Sequence, residues 1–500
     1  MIGEILRNAL ACTFVAWFIN YVWSLGNFWS GIPVEKQSRV AFLAAAVAAS
    51  HAISSMITMV VQAIVLRSFQ FKDSSVHPPT LTFCVLRLAK ESGGVFCMTT
   101  VLVATNVYLL SLGPVSLRAY RFEFYLTCFT GHMFTTSIRI STRHIIKTQT
   151  LQGQLQQQRK SKRSNTRLPI TPAQQQSEVA HVPVASRRRS SALASAAQLL
   201  RFGGIYLRSY RSDLSAIIAG LYIHLATHFG IPSGALGLFL FTAGSLCLKI
   251  LAQEGTKEIL AMKHVNDIRT MCVAMGIPTV LIDTQIRIVL LFTKSTTVAV
   301  SGTVGLGLVE VFMRVTKVYW LRAHIRRRRL AQAKASSVVP LPTTEDLTKS
   351  RESKRRKTAA RASSAEDLDA WERRLWAVHT AELYTDMSAE YMAIGCSTCI
   401  LFFFSSHPKY MMGRAAATSS GNAQEPNNTA VGSWHHVAAS LGAQVVVEVL
   451  VDLLACLVEM SAGTDFQRLR EYRFFVVTLL VNIVVANIQI SGLMFILLDC

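Results

Sequence analysis

Gln444, Glu448, Asp452 and Glu459 all fall within one apolar run, 437–459. At about 100° per residue, Asp452 lies about 40° from Glu448, Glu459 about 20° from it, and Gln444 about 40° to the other side. The four therefore share one helical face, while Val445, Val446, Val447 and Leu450 cover much of the remainder. Carboxylates aligned on one face inside an apolar run can hold a cation or carry protons. The competing reading is a polar seam, in which Lys or Arg from another helix pairs with them. Glu459 stands at the end of the run, where solvent is its simplest partner.

Two further acid–base sets occur at helical spacing. Asp283 and Arg287 are four residues apart beside Pro278, and Glu310 and Arg314 are four apart near Gly302, Gly305 and Gly307. An i, i+4 pair neutralises itself and lowers the cost of apolar burial. The glycines permit close helix approach, and Pro278 could open a backbone gap of the kind found in broken transport helices. His224 and His228 are also four apart. Two ligands are too few for a metal centre, so packing is the simpler role, and the sequence assigns no metal site and no cofactor. No phosphate-binding glycine loop, Ser/His/Asp set or other nucleophile motif is present, which argues against an enzyme.

The elements that position these residues are apolar helices. Of the 500 residues, 51% are hydrophobic and 16% charged, with a mean hydropathy of +0.34. About 20 apolar residues cross a hydrocarbon core. Runs of that order fall at 9–28, 40–66, 93–113, 122–138, 214–230, 235–252, 271–292, 296–319, 387–406, 437–459 and 474–498. The expected fold is all-α: a polytopic integral membrane protein of about eleven spans. The weakest span is 122–138, which is short and carries Glu123, Gly131 and His132. The ten cysteines lie mostly in or beside apolar runs, where thiols act as small apolar groups.

The spans group into membrane blocks at 1–140, 213–319 and 387–500, divided by basic loops at 141–212 and 320–386. The first loop holds 13 Lys/Arg against one acidic residue and the second 15 against nine, together 28 of the chain's 51 basic residues. Basic residues beside spans mark the cytoplasmic side, so the formal charge of +22 reads as topology rather than nucleic-acid binding. Four spans separate the loops, which therefore share a side. The N-x-[ST] sequon at Asn427 then falls outside, where glycosylation is feasible. The first loop is Gln-rich and poor in large apolar residues, which predicts disorder. Its Arg187-Arg188-Arg189-Ser190-Ser191 run offers Ser190 and Ser191 as phosphorylation sites.

Leu368, Trp371, Leu375 and Val378 form a stripe at helical spacing, which suits a helix lying on the inner membrane surface before the ninth span. Together these features predict a protein of the plasma membrane or a secretory-pathway membrane. Its leading reading is a cation- or proton-coupled transporter or channel-like protein using Glu448, Asp452 and Gln444. The alternative is a membrane scaffold or receptor whose basic loops bind anionic lipid headgroups or cytosolic partners. The sequence specifies no small-molecule or ion ligand.

Overall fold

The computed structural model describes residues 2–72, 79–155, 157–158, 200, 202–206, 214–229, 235–262, 268–292, 296–337, 350–410, 429–461 and 473–497. Among them the chain is helical, with two isolated β-bridges and no strand. Eleven long helices follow one another: α1 (Ile2–Leu25), α2 (Arg39–Arg67), α3 (Leu81–Ser111), α4 (Phe122–Gln149), α5 (Leu214–Phe229), α6 (Ala235–Met262), α7 (Ile268–Phe292), α8 (Thr296–Ser337), α9 (Ser350–Phe404), α10 (Thr429–Ser461) and α11 (Arg473–Met494). Each of the eleven apolar runs coincides with one of them. Five contain a segment long and apolar enough to cross a membrane: Ile5–Leu25, Arg39–Arg67, Leu81–Ser111, Leu368–Phe404 and Leu441–Ser461.

Local chemistry sets several boundaries. Ser38 caps α2 by accepting a hydrogen bond from the Ala41 N–H at 3.2 Å, and Thr80 caps α3 through the Phe83 N–H at 3.3 Å. α7 runs unbroken through Pro278, and the Thr279 hydroxyl donates to the Met275 carbonyl in the turn beside it. Pro278 therefore opens no break in the helix. α9 is likewise continuous over 55 residues, so the stripe at 368–378 lies within one long helix rather than forming a separate surface helix. Its Trp371 ring meets His324 and lies 4.1 Å beneath the Arg328 guanidinium, both of α8.

The chain forms two compact units whose boundaries differ from the three blocks drawn from charge. One comprises Met1–Thr13, Ile231–Thr398 and Gly421–Val476; the other comprises Phe14–Gly230, Cys399–Ser420 and Val477–Cys500. In the second unit α4 packs Phe134, Ile138 and Ile145 against Ala63 and Leu66 of α2 and Cys84 and Leu88 of α3. Glu123 is buried and paired with Arg39 at 3.3 Å. The carboxylate that weakened the 122–138 run is thus neutralised by a partner from α2.

The first unit is polar inside and apolar outside. Leu308 and Phe312 of α8 are 67% and 68% exposed, whereas Arg314, two residues after Phe312 and so on the opposite face, is buried. On α10, Val446, Leu450, Leu454 and Leu457 are exposed and Gln444, Glu448, Asp452 and Glu459 are buried. Water would enforce the opposite arrangement; a hydrocarbon surround favours this one.

Candidate functional site

The buried and half-buried polar residues of the first unit's cluster come from five helices, each presenting them about one turn apart. α6 supplies Lys249 and Gln253, α7 Asp283 and Arg287, and α8 Glu310, Arg314 and Lys317. α9 supplies Glu382, Asp386 and Glu390, and α10 Gln444, Glu448 and Asp452. A spacing of four keeps successive side chains on one face, so each helix turns a short polar stripe inward.

Arg314 sits among three carboxyls. Its Nη1 donates to Asp452 Oδ1 at 2.9 Å, and its Nη2 reaches Glu390 Oε2 at 3.2 Å and pairs with Glu310. Arg287 pairs with Glu448, and its Nη1 points to Gln444 Oε1 at 3.5 Å. Lys249 Nζ donates to Asp283 Oδ2 at 2.8 Å and lies 3.9 Å from Glu390. Lys317 Nζ donates to Glu382 Oε1 at 2.7 Å, and Gln253 Nε2 joins Asp386 Oδ1 at 2.7 Å to Thr279 Oγ1 at 2.9 Å.

The sequence pairings are corrected in part. Glu310 and Arg314 do bridge within α8. Asp283 and Arg287 do not pair with each other: Lys249 takes the first and Glu448 the second. Along an isolated helix the i, i+4 neighbour is the nearest opposite charge, but in the bundle a cation from a facing helix can approach more directly. Glu459 is buried rather than solvated and receives His379 Nε2 at 3.0 Å on both oxygens. Gln444, Glu448 and Asp452 do share one buried face, and Arg287 and Arg314 from two other helices engage it.

Charge in this cluster does not balance. Among the described residues, Asp283, Glu310, Glu382, Asp386, Glu390, Glu448 and Asp452 are seven carboxyls against the four cations Lys249, Arg287, Arg314 and Lys317, which leaves three negative charges if all ionise. Oxygens of Glu310, Glu390 and Glu448 lie within 4.8 Å of one another. Ionised carboxylates that close repel one another, so a proton or a cation among the three lowers the cost of burying them together. Beside them, Arg287 Nε, Gln444 Nε2 and Glu448 Oε2 are buried without a protein hydrogen-bond partner. The arrangement can therefore hold and exchange protons, or accept a small cation in place of one.

Sequence reasoning missed Lys249, Lys317, Glu382, Asp386 and Glu390. Their signals were present: single lysines inside the 235–252 and 296–319 runs, and acids spaced by four across the expected start of the ninth span at 387. His224 is a packing residue, its Nδ1 3.1 Å from the Tyr125 hydroxyl and its Nε2 3.0 Å from the Ala119 carbonyl. Ser190, Ser191, Asn427 and the His228 side chain lie outside the described residues.

No protein-family model, curated protein or solved structure matches the chain. What the fold defines is an all-helical protein with, among the described residues, five helices long and apolar enough to cross a membrane.

Proposed function

We propose that this chain is an integral membrane protein of about eleven helical spans that moves a proton or small cation across the bilayer through its buried polar cluster. The observation that carries the reading is the surplus of carboxyls, seven against four cations among the described residues of the cluster. Unbalanced buried charge is expensive, so the cluster stays folded only when protons or a cation make up the difference. A cluster that holds mobile positive charge within a bilayer is the core of an ion-coupled pathway.

Arg314 is the switching element in this reading. It holds Glu310, Glu390 and Asp452 together, and protonating one of them releases the guanidinium toward the others. A proton held by Glu310 or Glu390 has a neighbouring acceptor in Glu448, whose carboxylate lies within 4.8 Å of theirs, so it has somewhere to go without leaving the cluster. The basic loops 141–212 and 320–386 face the cytoplasm and the 407–436 loop the opposite side.

Flux through reconstituted vesicles tests this. Glu390→Gln keeps the side-chain size and removes one titrating site, and it is expected to lower proton or cation flux at least tenfold while the protein still unfolds cooperatively. Unchanged flux would remove the cluster from the pathway. Absence of flux in wild type under every imposed proton or cation gradient would move the reading to a scaffold or receptor working through the basic loops.

A further inference from the structure

α8 does not stop where its apolar segment ends. Arg322 Nη2 donates to the Ser461 carbonyl at 2.9 Å, which sets it level with the end of the apolar segment Leu441–Ser461. Those 21 residues span about 31 Å, close to the roughly 30 Å of a hydrocarbon core. Tyr319 and Trp320, just before Arg322, are 76% and 63% exposed. Exposed aromatic residues at a helix end are characteristic of the headgroup boundary.

Beyond that level α8 and α9 form a groove of about 440 Å³. Its apolar surface comes from Ile325, Leu330 and Trp376, and three guanidinium groups, Arg322, Arg326 and Arg329, line it with them. Arg326 and Arg329 lie about 6 and 10 Å further along the helix than Arg322, at headgroup height. Glu372 is the sole acid of the lining and is bound by Arg329 at 2.6 and 3.0 Å. That pair is open to solvent, Arg329 being 59% exposed, and exposed pairs are weak. The groove therefore carries a net positive charge of two beside an apolar wall.

We propose that this groove binds an anionic phospholipid, with the phosphate held by Arg326 and Arg329 and the glycerol and upper acyl chain against Ile325 and Trp376. The charge, the wall and the depth each match one part of that molecule. Guanidinium groups bind phosphate by paired, charge-assisted hydrogen bonds. The inference uses the membrane reading but not the transport reading, and its test does not involve flux.

The test is thermal unfolding in phosphatidylcholine micelles titrated with phosphatidylglycerol, since a ligand that binds the folded state raises its stability with concentration. Wild type is expected to gain stability saturably. Arg326→Gln/Arg329→Gln/Glu372→Gln lowers the net charge by one, as Arg327→Gln does outside the groove. The triple variant is expected to bind about tenfold more weakly, the loss of one charged hydrogen bond, and Arg327→Gln within twofold of wild type. Arg326→Gln alone, which breaks no hydrogen bond or ion pair among the described residues, covers the case of a misfolded triple variant and is expected to weaken binding about threefold. Equal weakening by Arg327→Gln would reduce the effect to diffuse surface charge and overturn the proposal. Saturation by inorganic phosphate at the same concentrations would overturn the lipid assignment.

Discussion

Arg287 and Glu448 stand 161 positions apart in the chain and meet in the buried interior of one unit. Removing one partner of a buried pair leaves an uncompensated charge, which costs about 3–5 kcal/mol. Glu448→Gln is therefore expected to destabilise strongly, whereas Arg287→Gln/Glu448→Gln should recover most of the loss, because no charge is then left alone. A double-mutant cycle on unfolding midpoints measures this, and additive losses would show that the two side chains act independently. His407 gives a residue-scale pH effect outside the apolar helices. Its Nε2–H donates to the Ser24 carbonyl at 3.0 Å and its Nδ1 accepts the Lys409 N–H at 3.2 Å, an arrangement open only to the neutral ring. Burial, with the Lys409 charge adding to it, holds His407 below its usual range despite the Ser24 hydrogen bond. A base with a lowered folded pKa binds more protons when unfolded, so stability rises with pH. The contribution is complete above about pH 6.5, the usual histidine value, and is lost as pH falls below it. His407→Gln should flatten the wild-type fall in melting temperature between about pH 7 and pH 5; identical slopes would rule the histidine out.

At the scale of helices, the cluster depends on how closely α8 approaches α10. Gly307 is the contact that allows it: a Cβ there would stand 2.8 Å from Val451 Cγ2 and 3.4 Å from Val447 Cγ1. Small residues at such crossings let backbones approach in membrane bundles. Gly307→Val is expected to cost about 1–3 kcal/mol through overpacking. It should also weaken the Arg314–Asp452 contact, which crosses the same pair of helices at 2.9 Å. A Cβ at Gly305 would meet no neighbour within 4 Å, so Gly305→Val serves as the control. A melting temperature equally lowered by both substitutions would make helix propensity, rather than packing, the cause.

At the scale of the molecule, the topology makes a prediction that needs no functional assay. On the proposed topology, four spans lie between the basic loops and put both on one side. Epitopes inserted after Ser190 and after Thr343 should react with antibody only after permeabilisation. One inserted after Asn427 should react on intact cells. Reaction of the first two from opposite sides would require an odd number of spans between them, and would take one of the helices α5 to α8 out of the bilayer.

Hydropathy by itself placed an apolar run in each of the eleven long helices described, because a run of about 20 apolar residues is a local property. Residues 320–337 and 350–386, however, read as basic loop, extend α8 and α9. The inward face of α10 was legible as well, since helical spacing alone aligns Gln444, Glu448 and Asp452. Ion-pair partners were not legible, because opposite charges meet through three-dimensional packing and not through spacing. Arg287 lies one turn from Asp283 yet pairs with Glu448, and Glu390 enters the cluster through Arg314 and Lys249, 76 and 141 positions away. The sequence determined which residues could be buried and on which side of each helix. Only the tertiary structure decided that five polar stripes share one interior, and that seven carboxyls there outnumber four cations, because a charge balance exists only once the helices are packed together.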